Sequence, residues 1–111
     1  MTSFEIDQDI EDHINHQSPH TSFKELLLSH YENDELKDLW DFISKSTFSH
    51  HIFYKAVFHE HGCFPLNSPN LDKAFELYKE AAQLRDSFAN FRLHYIYKNE
   101  YESFKVEKDR Y

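Results

Sequence analysis

The chain has 111 residues, enough for one compact domain but too few for two independent cores. Its 20 acidic and 12 basic side chains give a formal charge of −8, which argues against direct nucleic-acid binding, where clustered Lys and Arg must neutralise phosphates. One glycine and three prolines leave little of the turn chemistry that an all-β sandwich or barrel requires, whereas eleven Phe, seven Tyr and one Trp supply large rings to fill an interior between helices.

Residues 1–20 are acidic and polar, with Phe4, Ile6, Ile10 and Ile14 as the apolar points before Ser18-Pro19. The 6, 10, 14 spacing is helical, but a helix this short and charged is marginal alone, so the segment is expected either to cap the rest or to stay disordered. Thr21-Ser22 offers an N-cap with Glu25 in capping-box position, and Phe23, Leu26, Leu27 and Tyr31 share a face, which predicts a helix over 22–31. Asn33-Asp34 is the next cap, and Leu36, Leu39, Trp40 and Ile43 form the buried stripe of a helix over 34–46. A third helix, over 49–61, carries Ile52, Phe53, Ala56 and Val57 and stops at Gly62. Two prolines mark 63–70 as a loop, after which Leu71, Ala74, Phe75, Leu77, Tyr78, Ala81 and Ala82 predict a helix to about residue 84. Asp86-Ser87 restarts the chain into a last helix over 87–99, followed by a charged tail. The expectation is an all-α protein of about five helices, one domain over 21–111 behind an acidic segment 1–20.

Shifting the sequence by 38 residues places Asp34, Leu36, Leu39, Trp40 and Ile43 on Asp72, Ala74, Leu77, Tyr78 and Ala81. The same shift sets Ser49, Phe53, Ala56, Val57 and Phe58 on Ser87, Phe91, His94, Tyr95 and Ile96, so the helix stripes of two units register without a gap. In the second unit an Asp72-Lys73-Ala74 start leads into Tyr78-Lys79-Glu80-Ala81-Ala82, and the next helix carries Ala89, Leu93 and Tyr97. This pattern resembles a Sel1-like repeat, credibly over 48–110 and weakly over 22–47. Arg85, His94 and Glu100 depart from it, standing where such repeats commonly have Gly, while Gly62 keeps that position in the preceding unit. A left-handed residue at Arg85 in place of Gly would cost roughly 1 kcal/mol. The resemblance implies a short right-handed solenoid of antiparallel helix pairs, in which facing Ala residues let helices approach and Leu and Tyr fill the gaps. It also implies a binding module rather than an enzyme.

Residues that carry chemistry are few. His59-Glu60-His61-Gly62-Cys63, with His50 and His51 upstream, is the segment richest in metal-ligand types, but positions 59 and 61 lie about 200° apart on a helix and do not converge on one ion. A helix end carrying His near its negative pole is the simpler reading, and no metal or cofactor is expected. His13, His16 and His20 are read as solvated. Cys63 has no orienting partner in the sequence pattern and is read as a half-buried thiol; as the lone cysteine it cannot form an internal disulfide and points to a reducing, cytoplasmic setting. The opening residues lack a basic leader, and no run is long and apolar enough for a membrane.

Two groups are candidates for partner binding. The acidic run Glu5, Asp7, Asp9, Glu11 and Asp12 would steer a basic surface, and Tyr54, Tyr78, Tyr97 and Tyr101 would line an exposed groove as anchors. The expected function is therefore an adaptor that binds a protein with a basic surface. The alternative is a small acidic stoichiometric inhibitor, such as an immunity protein, an antitoxin or an inhibitor of a nucleic-acid enzyme, that occludes a basic site; a His-dependent or metal-dependent enzyme ranks below both. The tail 101–111 also allows a homodimer.

Overall fold

A computed structural model describes residues 6–15 and 23–110, and among them every regular element is a helix: α1 Asp7–Asn15, α2 Phe23–His30, α3 Asn33–Ile43, α4 Ser49–His61, α5 Leu71–Gln83 and α6 Ser87–Asn99. Helix α4 is the axis around which the others are arranged. It buries His51, Ile52, Phe53, Tyr54, Ala56, Val57, Phe58 and Glu60, which together cover its whole circumference, as a helix enclosed on all sides must. Helices α3 and α5 instead bury single stripes, Leu36, Leu39 and Ile43 in one and Ala74, Leu77, Tyr78 and Ala81 in the other. Helices α2, α3, α5 and α6 all pack on α4, most extensively α5. Ala56, Ala74, Ala81 and Ala89 are fully buried, so side-chain bulk does not hold the central helices apart.

The described residues hold six helices, not about five. The sixth is α1, which docks on α2 and α6 because Ile6 and Ile10, one turn apart, are completely buried. Each such side chain contributes ~1.5–3 kcal/mol, which a nine-residue helix lacks in isolation. The cap of α3 also differs from expectation. Glu32, not Asn33 or Asp34, is the N-cap, and its backbone N–H donates to Glu35 Oε1 at 3.1 Å. The expected cap at Thr21-Ser22 lies outside the described residues. Asn70 and Asp86 cap α5 and α6 by accepting from the N–H groups of Lys73 (3.0 Å) and Ala89 (2.9 Å).

Two helix ends turn through the left-handed region. Gly62 does so at φ 63°, with the Cys63 N–H donating to the Phe58 carbonyl at 3.1 Å. Its place is doubly restricted, since a Cβ there would stand 2.7 Å from the backbone of Ser68 and Pro69. Arg85 makes the same turn at φ 70°, with Asp86 N–H on the Ala81 carbonyl (3.0 Å) and Arg85 N–H on the Ala82 carbonyl (2.9 Å), so a side chain is carried where glycine is easiest. The 38-residue shift carries α4 end to end onto α6 and the start of α3 onto the start of α5. The pairs are not packed alike, however: α5 lies against α6 more extensively than α3 against α4.

Candidate interaction surface

Polar side chains meet in the interior at both ends of α4. At its N-terminal end His50 sits between two carboxylates, with Nε2 2.7 Å from Asp7 Oδ1 and Nδ1 3.0 Å from Asp86 Oδ1. The Tyr54 hydroxyl donates to the same Asp7 oxygen at 2.5 Å. Ionised carboxylates only accept, so both ring nitrogens must donate and the ring is an imidazolium. Burial opposes that charge, but the hydrogen bonds and fields of Asp7 and Asp86 outweigh it and raise the His50 pKa to about 9. Burial and the Asp7 carboxylate likewise push the Tyr54 hydroxyl far up, so it stays a donor. His50 is further enclosed by the rings of Phe53, Tyr54 and Phe88.

At the other end Glu60 receives Arg92 Nε at 3.0 Å and the Tyr78 hydroxyl at 2.7 Å on Oε1, and Arg92 Nη2 on Oε2. Arg92 Nη1 stands 2.5 Å from Glu100, and Tyr78, Tyr95 and Phe104 lie around the guanidinium. Burial alone would raise the Glu60 pKa, but Arg92 and the neighbouring His61 reverse that and hold the carboxyl below its usual range. This pair ties α4 to α6 through permanent charges.

These networks account for several residues expected at a partner surface. Tyr54 and Tyr78 are fully buried and line no exposed groove, because α4 is enclosed on every side and α5 turns Tyr78 inward onto Glu60. Tyr97 and Tyr101 are half-buried. Tyr97 packs on Phe75 and borders a shallow depression with His94, Lys98 and Asp109, while Lys108 lies over the Tyr101 ring. Asp7 belongs to the interior network, Asp9 pairs with His30 at 2.6 Å, and Glu11 and Asp12 are exposed. Glu5 lies outside the described residues, as do His16, His20 and the His13 side chain. Helix α4 continues through His61, so His59 and His61 diverge; the first stacks edge-on to Trp40 and the second sits beside Glu60. Among the described residues no three His, Cys, Asp or Glu side chains are grouped to hold a metal ion. Cys63 is buried rather than half-buried, and burial raises its thiol pKa, the opposite of nucleophile activation.

The most exposed large apolar side chains are Leu28 on α2, which stands apart, and Phe42, Phe48 and Leu84. Phe42 and Phe48, 52% and 58% exposed, stand on either side of the α3–α4 turn with both rings edge-on to His51 at 5.1 and 5.5 Å. The Ser46 hydroxyl meets His51 Nδ1 at 2.6 Å, which fixes the imidazole against which they rest. Leu84, 52% exposed, belongs to the same end of the molecule, since the neighbouring Asp86 meets His50. Leading to this end, Asp34, Asp38 and Asp41 occupy positions i, i+4 and i+7 on the outward side of α3, opposite its buried stripe, with Phe42 beside them. Asp34, in the first turn, suits the positive pole of α3, but the rest of the stripe does not serve the helix. Like charges at i, i+4 cost a few tenths of a kcal/mol, and Asp41 lies at the negative pole of α3, whose last turn has no basic residue. Sequence spacing contained the stripe, but the aromatic neighbours Phe42 and Phe48 were not singled out because neither belongs to a periodic pattern.

Among the described residues no helix is long and apolar enough to cross a membrane. Comparison with protein-family models, curated proteins and solved structures finds no match to this chain.

Proposed function

We propose that this chain is a non-catalytic, cytoplasmic protein-interaction module that binds a partner with a basic surface through the outward face of α3 and the apolar end beyond it. Asp34, Asp38 and Asp41 steer and orient the partner, and Phe42 and Phe48 are the anchors. The observation that carries this reading is the placement of two half-exposed Phe rings, fixed on one buried His, at the end of a charge stripe whose last member, Asp41, sits at the negative pole of its own helix. The formal charge of −8 favours a basic partner over an acidic one. We also read α3–α4 and α5–α6 as two degenerate Sel1-like units of a short right-handed solenoid; the end-to-end coincidence of α4 and α6 under a 38-residue shift supports this.

The test is capture of partners from native lysate by the full chain and by a Phe42→Ser/Phe48→Ser variant, at low and moderate salt. The expected result is one dominant basic partner, released as salt rises and lost by the variant, each anchor accounting for about 2 kcal/mol of binding. Equal capture by the variant would remove the anchors from the reading, and salt-independent capture would remove the steering.

A further inference from the structure

The attachment of α1 has features of a bound ligand rather than of a structural helix. It has nine residues, below the length at which helices persist alone. Beside the burial of Ile6 and Ile10 among α2 and α6, its polar ties include those from Asp7 to His50 and Tyr54 and from Asp9 to His30. The site that receives Asp7 is built without it: His50 is held by Asp86 and by the rings of Phe53 and Phe88, and Asp86 is itself fixed as the cap of α6. Departure of α1 would therefore leave a preformed apolar seat with the His50 ring, held by Asp86, at its floor. The side chains that fit it are already specified: an apolar residue, an Asp immediately after it, and a second apolar residue three positions further on, as in Ile6-Asp7-Gln8-Asp9-Ile10.

We propose that this seat binds helix α1 in trans, so that two copies of the chain associate by exchanging α1, each helix resting on the α2, α4 and α6 surface of the other. A second copy is the occupant because it necessarily carries the matching pattern, and because the exchanged contacts are the intramolecular ones, requiring no new complementarity. The exchange is independent of the α3 surface.

The experiment uses the full chain throughout. Light scattering on the wild type, after incubation over a hundredfold range of concentration, should show a dimer fraction that grows with concentration. A labelled peptide of residues 1–20 should bind an Ile6→Ser/Ile10→Ser variant at least tenfold more tightly than wild type, whose own α1 competes, and an Asp7→Asn peptide should lose about tenfold. A wild type that stays monomeric at every concentration overturns the exchange whatever the variant does. A variant that melts cooperatively yet takes up no peptide overturns the seat.

Discussion

The two ends of α4 solve the same problem with different groups. At the C-terminal end a buried carboxylate faces an arginine on α6, both carrying charges that persist across the ordinary pH range. At the N-terminal end a half-buried imidazolium faces carboxylates on α1 and before α6. The first bridges α4 to α6, which touch each other less than either touches α5, and so fixes how they sit; the second ties α4 to α1, whose Ile6 and Ile10 are buried against α2 and α6. A permanent ion pair joins two long helices of the bundle, and a titratable one joins the short first helix to it.

The sharpest way to break this comparison is Arg92→Met, which leaves Glu60 buried without its cation. A loss of about 3–5 kcal/mol is expected in urea unfolding, and Glu60→Leu/Arg92→Met should recover much of it. A double variant no better than the single would mean that the pair itself, not its abandonment, carries the stability. Next is Gly62→Ala beside Glu60, where positive φ and a 2.7 Å approach to the Ser68-Pro69 backbone act together. We expect a loss of roughly 2 kcal/mol and a lowered melting temperature.

At the other end Asp7→Ala should cost about 1–3 kcal/mol, and locally: α1 amides lose hydrogen-exchange protection while those of α5 and α6 keep theirs. Global loss would make α1 part of the core. The same tie sets a pH signature. His50 is raised from 6.5 to about 9 on folding, so its contribution is complete below about 6.5 and lost as pH rises through about 9. Protection of α1 should fall over that window in wild type and much less in His50→Gln. The smallest effect belongs to Arg85→Gly, which relieves a left-handed side chain at φ 70° next to Asp86; the gain should be at most ~1 kcal/mol in thermal unfolding.

The parts of this molecule that could be read from its sequence are those fixed by neighbours along the chain. The limits of α4 and α6, the stop at Gly62 and the cap at Asp86 follow from local chemistry, whereas the left-handed turn at Arg85 is foreshadowed only by the repeat resemblance, which has Gly there. What escaped is set by distant partners. Asp7 lies in an acidic run that reads as solvated, and its role depends on His50, 43 positions away. Tyr54 is expected from sequence as an anchor in an exposed groove, but α4 is enclosed on every side; the nearly unbroken apolar run Ile52-Phe53-Tyr54, Ala56-Val57-Phe58 is the available sign of that. Tyr78 shares its stripe with Leu77 and Ala81, and only Glu60 explains why its hydroxyl tolerates the interior.

The exposed end bearing Phe42, Phe48 and Leu84 also has a colloidal consequence. Three large apolar side chains, each more than half-exposed, are tolerable on a molecule whose formal charge of −8 sets copies against one another. With nine histidines in the chain, mild acid removes that repulsion without removing the apolar end. The apolar end then becomes adhesive toward its own kind, and turbidity should be greatest not in strong acid, where protonation of the carboxylates leaves the basic side chains and histidines in excess, but in the interval where the charge passes through zero.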